Sequence, residues 1–232
     1  MPSKPSTPDI LENDKLGSAY HAIKELLFRR VLNPGQKLPY KDLCDLVGLS
    51  KTPIINALNR LVFEGFVQYE PNKGYRIAPV DEKTISHLWE IRVELECINV
   101  RNAINNFTPE KFAVLERKHE RLRDYTPAYT DRKKLELDMD MHIEIGRMGG
   151  NEFSKTFLRT VLEHIHFMHR LERGVDRRKG EIEYEHGMVI ESIGKRDVVM
   201  AEKVMRAHIE ALHRLMLDFL QEMKQMQGNF WS

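Results

Sequence analysis

The hydrophobic pattern of this chain changes near residue 81, and that change limits the possible folds more than any other feature. Before it, short helical repeats give way to an alternating run, whereas from residue 83 to residue 226 only helical periodicity occurs. At 232 residues the chain has room for two cores. The pattern therefore predicts a mostly α protein with a flexible tail at 1–14 and domains at 15–80 and 81–228.

The first domain is predicted to contain three helices followed by a β-hairpin. Apolar spacings indicate helices at 17–32 and 40–47, and Ser50 is expected to cap a third helix. Two alternating runs, at 66–69 and 75–77, flank a turn and indicate the hairpin. This order is typical of a winged helix-turn-helix; the alternative is a small α+β scaffold whose basic face has no function.

The charge of the chain is unevenly distributed. The whole sequence has a formal charge of +1, which by itself points to no class of partner. Residues 15–80, however, contain ten Lys and Arg against five Asp and Glu, whereas the tail and the second domain are both slightly acidic. A basic N-terminal module favours a polyanionic partner.

The third helix of a helix-turn-helix lies in the major groove of DNA, and a hairpin beside it can approach the backbone or the minor groove. Polar side chains on these two elements are therefore the candidate DNA contacts. Asn56 or Asn59 could read an adenine edge, and Lys51 and Arg60 could meet phosphates. The full candidate set is Ser50, Lys51, Thr52, Asn56, Asn59, Arg60, Lys73 and Gly74.

The second domain is predicted to be an antiparallel bundle of six helices. Thr-Pro and glycine positions interrupt the helical pattern at five places. The expected helices lie at 83–106, 109–125, 131–147, 152–174, 178–193 and 197–226.

Four residues of this bundle form a candidate metal site. Asp138 and His142 are four apart, so they share one face of a helix. His186 and His208 lie on consecutive helices at equal distances from the intervening turn, so antiparallel packing brings them to the same height. One carboxylate and three imidazoles suit Zn²⁺, Ni²⁺ or Mn²⁺. The alternative is that these histidines are ordinary core residues.

The remaining histidines and the two cysteines suggest no further site. His164, His166 and His169 crowd one helix, where pocket lining or surface exposure is expected. Cys44 and Cys97 form no CxxC pair, which favours a reducing cytoplasm. No apolar run approaches the roughly 18 residues that a membrane span needs, so no membrane association is expected.

The N-terminal domain resembles the DNA-binding domain of the GntR family of bacterial transcription regulators. The matching positions occur in order and without gaps. They are Pro34-Gly35, Leu38, Leu43, Gly48-Leu49-Ser50-Lys51-Thr52-Pro53, Ala57-Leu58, Arg60-Leu61, Glu64-Gly65 and Gly74. Tyr40 stands where the family usually has an acidic residue, and Ile55 stands where it usually has an arginine that contacts DNA. The resemblance therefore implies an altered operator sequence.

Residues 83–226 resemble the FCD effector domain of the FadR-type branch, and six helices suggest the VanR-like subgroup. The D-x3-H motif stands at Asp138 to His142, and the other two metal positions of the family stand at His186 and His208. Arg92 matches the arginine of an R-x-x-L-E helix that often faces the ligand pocket, where it could hold an organic acid. The alternative for Arg92 is an ion pair with Glu96 on the helix surface.

The resemblance implies a cytoplasmic, ligand-responsive regulator, a repressor and not an enzyme. It would bind palindromic double-stranded operator DNA as a homodimer and sense a small organic acid at the divalent metal. Two alternatives remain open from the residues. The same Asp/His site could serve a metal-dependent hydrolase, or the metal could be a structural staple only.

Overall fold

The structure is a computed structural model, and it describes residues 7–29, 31–79, 81–168 and 176–228. The chain divides into two compact units, Met1–Val80 and Asp81–Ser232. We refer to them as the N-terminal unit and the C-terminal unit. Among the described residues, no helix combines the length and the apolar character that a bilayer-spanning segment needs.

The N-terminal unit is a winged helix-turn-helix, as predicted. Its helices are α1 (Thr7–Phe28), α2 (Tyr40–Val47) and α3 (Lys51–Phe63), and its strands are β1 (Lys37–Leu38), β2 (Val67–Glu70) and β3 (Gly74–Ile77). The strands form one antiparallel sheet in the order β1-β3-β2. The two-residue strand β1 was not predicted, because two residues are too short for an alternating pattern.

The helix-turn-helix depends on one tight turn and on a small apolar core. Gly48 ends α2 in the left-handed conformation at φ 74°, which lets α3 begin three residues later. Ile54, Leu58 and Leu61 form the buried face of α3, and Ile23 of α1 is buried in the same core. The opposite face of α3 is thereby left exposed.

Helix α1 differs from the prediction at both ends. It begins at Thr7, so it includes residues 7–14, for which we expected a flexible tail, and it ends at Phe28 rather than at Leu32. Thr7-Pro8-Asp9 also fits the first turn of a helix, where a proline loses no hydrogen bond and an acidic residue is favourable. A short stretch rich in proline and acids is thus compatible with both structures.

The C-terminal unit contains the six predicted helices. They are α4 (Glu82–Asn105), α5 (Pro109–Asp124), α6 (Arg132–Gly149), α7 (Glu152–Met168), α8 (Lys179–Gly194) and α9 (Val198–Gly228), and a 3-10 turn, Asp176–Arg178, precedes α8. The side chains of Asp81, Thr108 and Asp131 cap α4, α5 and α6 by accepting a backbone N–H three residues later. The expected extension of α7 to residue 174 covers 169–174, which lie outside the described residues.

Helix α4 is the central element, and α6, α7, α8 and α9 all pack against it. Two glycines on α6 allow a close approach. A Cβ at Gly149 would lie 2.9 Å from the Cβ of Asn102, and a Cβ at Gly146 would lie 3.0 Å from Asn99 Nδ2. The side chains that α4 directs towards α6 therefore stand at short and fixed distances from that helix.

Candidate metal centre and DNA-binding face

Three buried histidines from three helices meet in the core of the C-terminal unit. His142 lies on α6, His186 on α8 and His208 on α9, and one ring nitrogen of each lies within 4.8 Å of those of the other two. The Nε2 atoms of His186 and His208 are 3.2 Å apart. The three histidines that were selected from their spacing in the sequence therefore do contact one another.

Asp138 completes this group. It lies one turn before His142 on α6, with Oδ1 3.4 Å from His186 Nε2 and Oδ2 3.9 Å from His142 Nε2. It is the only partly exposed member, at 22% of its side chain. We call Asp138, His142, His186 and His208 the candidate metal centre.

Two glutamates that the sequence analysis did not select lie against the outer nitrogens of two of the imidazoles. Glu96 of α4 places Oε1 2.9 Å from His142 Nδ1, and Glu185 of α8 places Oε2 2.7 Å from His208 Nδ1. A carboxylate on the outer nitrogen of a metal-binding histidine fixes its tautomer and ring orientation. The inner Nε2 atoms are thus left as the metal-facing donors.

Each of these glutamates is in turn held by an arginine. Arg92 Nε lies 3.3 Å from Glu96 Oε1 within α4, and Arg178 Nη2 lies 2.6 Å from Glu185 Oε1. The alternative for Arg92 was an ion pair with Glu96 on the helix surface, and its placement at the surface is wrong. The pair exists, but Arg92 is 3% exposed and Glu96 is fully buried.

Burial and neighbouring charges favour neutral rings at His186 and His208 and ionised carboxylates at Glu96 and Glu185. Burial, together with His208 and His142, lowers the pKa of His186 well below its usual value. Burial also lowers the pKa of His208, although Glu185 opposes this shift. For Glu96 burial would raise the pKa, but His142 and Arg92 outweigh it and lower the pKa overall. Neutral imidazoles have the free lone pairs that a metal requires.

The residues present fit a divalent cation. His142 Nε2 is buried and has no hydrogen-bond partner among the described residues, an arrangement that is costly unless another group occupies the site. Three imidazole nitrogens and one carboxylate match the donor set of zinc and nickel sites that keep open positions.

A cavity of about 650 Å³, including its open mouth, adjoins the candidate metal centre. Asp138 and His186 form part of its wall, as do Arg92 and His166. Arg92 Nη2 is buried without a hydrogen-bond partner among the described residues, and the guanidinium carbon lies 4.9 Å from the centre of the Trp89 ring. The arginine predicted to bind ligand therefore lines a cavity and has an unused donor.

The other histidines of the bundle lie outside the metal cluster. His166 lines the cavity, and burial lowers its pKa to about 4. His164 is buried on α7, and the His213 ring stacks on Trp89 at a centroid distance of 5.8 Å. His169 lies outside the described residues. The expected pocket-lining role is thus observed for His166.

The predicted DNA contacts lie on one exposed face of α3 and at the tip of the hairpin. The side chains of α3 in this set, Lys51, Thr52, Asn56, Asn59 and Arg60, are all exposed. Gly74 has φ 83° beside Lys73 at the hairpin turn, a conformation that favours glycine. Ser50 occupies the N-cap position but makes no side-chain capping hydrogen bond, so that part of the expectation is wrong.

Intramolecular contacts constrain several of these side chains. Tyr75 donates a hydrogen bond of 2.7 Å to Asn59 Oδ1, which leaves only the Asn59 amino group for a base. Arg60 pairs with Glu64 at 3.0 Å and stacks on Tyr20. Asn56 has no side-chain hydrogen bond to another described residue and keeps both amide atoms for an adenine edge.

Lys51 has a neighbour that the sequence analysis had noted only as a departure. Its Nζ lies 4.7 Å from the centre of the Tyr40 ring, at the position where the resembling family usually has an acidic residue. An aromatic ring holds the ammonium without neutralising it, whereas an acid would pair with it. Lys51 therefore remains a full positive charge at the start of α3.

Comparisons with known proteins agree with this architecture. Residues 16–77 match the family described as "Bacterial regulatory proteins, gntR family", and residues 87–211 match the FCD domain. Over 190 residues the chain is 25% identical to the HTH-type transcriptional regulator YdhC of Bacillus subtilis, covering 82% of this chain and 85% of YdhC. It is 29% identical to the Nta operon transcriptional regulator of Aminobacter aminovorans, covering 69% and 74%.

Solved structures show the same fold. Escherichia coli McbR/YncC superimposes with a TM-score of 0.66 at 20% identity, covering 86% of this chain and 97% of McbR/YncC. A GntR regulator from Rhodococcus sp. RHA1 superimposes with a TM-score of 0.65 at 16% identity, covering 88% and 98%.

These observations define a DNA-binding transcription regulator with a helical ligand-binding domain. The chain belongs to the GntR family and contains an FCD effector domain. The expectation that it is not an enzyme is confirmed, because the matched domains and relatives are regulators, and the hydrolase alternative is set aside.

Proposed function

We propose that the chain is a cytoplasmic, metal-dependent repressor that releases its operator when a small organic acid binds in the cavity of the C-terminal unit. The observation that carries this proposal is a shared wall, since Asp138 and His186 belong to both the candidate metal centre and the cavity. A ligand in the cavity therefore touches the side chains that hold the ion.

The candidate metal centre would hold Zn²⁺, Ni²⁺ or Mn²⁺ through Asp138, His142, His186 and His208. A bound divalent ion would supply a Lewis-acidic position for a carboxylate oxygen of the effector. The protein's own contribution is orientation, because Glu185 is hydrogen-bonded to the outer nitrogen of His208 and Glu96 lies 2.9 Å from the outer nitrogen of His142. Arg92 would donate to the second carboxylate oxygen from its unused Nη2.

The proposed homodimer rests on an apolar face of α4 and α7. Ile91 and Ile98 on α4 and Phe153 and Phe157 on α7 are all exposed, with Phe153 at 76%. The hydrogen bond of 2.6 Å from Ser154 Oγ to Asn99 Oδ1 shows that the two rows are adjacent. Large exposed aromatic residues on one face are typical of an interface. A two-fold dimer would present two α3 helices to a palindromic operator.

The proposal is tested by a mobility-shift titration of the full chain on DNA from upstream of its own gene, at moderate salt. Zinc-loaded protein is expected to bind this DNA and to release it in the presence of organic acids. Elemental analysis of the same preparation should find about one divalent ion per chain. Failure to shift the DNA with or without metal would overturn the regulatory function. A chelator that lowers the Tm but leaves the affinity for the acid unchanged would make the ion purely structural.

A further inference from the structure

We infer that the effector is a monocarboxylate with an apolar body, such as an aromatic or branched alkyl acid, and not a dicarboxylate or a polyhydroxy acid. This inference rests on the proposed function, because it assigns a chemical class to the ligand of the same cavity. It is carried by three parts of the lining that differ in chemistry. We call the part at Arg92, which is 3% exposed, the inner end, and the part at the more exposed Lys134, Lys179 and Glu183 the outer end; the third part is the set of apolar side chains.

The inner end offers one position for an anion. Arg92 is 3% exposed, and its Nη2 lacks a hydrogen-bond partner among the described residues. A buried guanidinium donor without a partner is costly, and a carboxylate satisfies it with a charge-assisted bond. His166 faces the same cavity as a neutral imidazole, since its pKa is lowered to about 4, so it adds a polar contact without a second positive charge.

The wall of the cavity is apolar. Its lining includes Trp89, Leu122, Leu135, Ile165, Ile182 and Leu212. Hydroxyl or carboxylate groups placed against such side chains lose their water without gaining partners, which is unfavourable. Alkyl or aromatic groups at the same position gain from burial.

The outer end offers little to a second carboxylate. Lys134 lies one turn before Asp138 on α6, and its ammonium already donates to Leu122 O at 2.6 Å and Tyr125 O at 3.0 Å and lies 3.4 Å from Glu183 Oε1. Three contacts use the three donors of an ammonium group.

Two other charged residues line this end. Lys179 donates to Pro127 O at 3.0 Å and is half-buried at the start of α8, where water screens its charge. The carboxylate of Glu183 lines the same end beside Lys134 and opposes a second anion. The strongest position for an anion is therefore the buried guanidinium at the inner end, and the more exposed ammonium of Lys179 is a weaker one.

The test is isothermal titration of the full, zinc-loaded chain with acids of similar size. Phenylacetate and 4-methylpentanoate are expected to bind at least about ten-fold more tightly than succinate and malate. Phenylacetamide, which keeps the body but lacks the charge, is expected to bind about ten-fold or more weakly than phenylacetate. Equal or tighter binding of succinate or malate, or no binding by either monocarboxylate, would overturn the inference.

Two variants test the two parts of the cavity separately. Ile182→Asn is expected to weaken phenylacetate about ten-fold while leaving the zinc content unchanged. Arg92→Lys keeps a positive charge beside Glu96 but loses the planar guanidinium with its two parallel donors. It should therefore weaken the binding of every carboxylate. Arg101→Gln, on the same helix but exposed and paired with Glu202, is the matched control and should change neither. Unchanged binding in Ile182→Asn would overturn the assignment of the apolar wall.

The DNA mobility shift separates this inference from the proposed function. A chain that binds its operator and is released by malate but not by phenylacetate is a regulator whose effector class is wrongly assigned. A chain that binds phenylacetate but shifts no DNA supports the cavity chemistry and overturns the regulatory function.

Discussion

Glu185 links His208 to Arg178. Its Oε2 lies 2.7 Å from His208 Nδ1, and its Oε1 lies 2.6 Å from Arg178 Nη2. Glu96 also lies between an imidazole and an arginine, but its Oε1 alone approaches both groups, at 2.9 Å from His142 Nδ1 and 3.3 Å from Arg92 Nε. Two of the three imidazoles thus contact a carboxylate that an arginine also contacts.

Glu185→Gln and Arg178→Gln should both weaken zinc binding about 10–100-fold. The first variant removes the carboxylate that orients the His208 ring, and the second removes the arginine that holds this carboxylate in place. Competition with a chromophoric chelator measures the affinity. Arg177→Gln is the matched control, since Arg177 is adjacent in sequence but pairs with Glu222 at 2.7 Å. Equal affinities of the Arg177 and Arg178 variants would contradict this role for Arg178.

His186→Ala should abolish stoichiometric zinc binding, with a loss of affinity of at least about 100-fold, because it removes one of the few protein ligands. His87→Ala replaces an exposed histidine of α4 and should retain one zinc per chain. Elemental analysis after dialysis distinguishes the two variants. Retention of zinc by His186→Ala would show that the ion is bound elsewhere.

The metal-free protein should lose stability as the pH falls from about 6.5 to 4. His166 has a folded-state pKa of about 4, whereas the unfolded chain titrates it near its ordinary value. The unfolded state therefore binds more protons in this window. The contribution of His166 to the free energy of unfolding is complete above pH 6.5 and is lost as the pH falls towards 4. His186 and His208 act in the same direction, because their pKa values are also lowered.

His166→Gln removes one of these groups and should flatten the fall in Tm over that window. A difference of about 1 kcal/mol corresponds to about 2–4 °C for a domain of this size. Differential scanning calorimetry in the presence of chelator measures the effect without metal release. Parallel curves for the wild type and the variant would contradict the lowered pKa.

Asn56→Ala should reduce the affinity for the operator by about 1–3 kcal/mol and relax the preference at one base pair, since Asn56 keeps both amide atoms free for a base edge. Lys51→Ala should weaken binding to all DNA sequences. It should also reduce the slope of log affinity against log salt concentration by about the amount of one phosphate contact. Fluorescence anisotropy at several salt concentrations separates these effects. Lys195→Ala, an exposed lysine of the C-terminal unit, is the control.

Phe157→Asp should convert the protein to a monomer, because it places a charge in the proposed face of α4 and α7. Tyr184→Asp is the matched control, because Tyr184 is equally prominent, at 71% exposure, but lies on α8. Sedimentation velocity measures the oligomeric state. A dimer that persists in Phe157→Asp and is lost in Tyr184→Asp would move the interface to α8.

The starts of α5 and α6 and the grouping of the four residues of the candidate metal centre were predictable from sequence because both depend mainly on local geometry. Thr108 and Asp131 cap their helices through bonds that span three residues, and the observed starts of α5 and α6 lie within one residue of the prediction. The four residues of the candidate metal centre were found from a spacing of four on one helix and from equal distances to one turn. The first argument needs only the helical repeat, and the second needs only the antiparallel packing of two consecutive helices.

The supporting residues were missed because their contacts cross between helices. Glu96 meets His142 only through the packing of α4 on α6, and no spacing rule relates the two positions. Glu185 left a weak signal, since it precedes His186, and the turn that aligns His186 with His208 brings Glu185 to a similar height. Arg178 lies in a 3-10 turn, which apolar periodicity does not detect.

Gly149 and Gly150 stand together at the break between α6 and α7. The break belongs to Gly150, whose φ is 72°, whereas Gly149 lies inside α6 against the backbone of α4. The spacing of the two helices, and with it the 2.9 Å between Glu96 and His142, therefore depends on a residue with no side chain. In a mutational scan scored on metal content, Gly149→Ala should behave like the loss of a ligand, although the position carries no donor atom and lies two turns from His142.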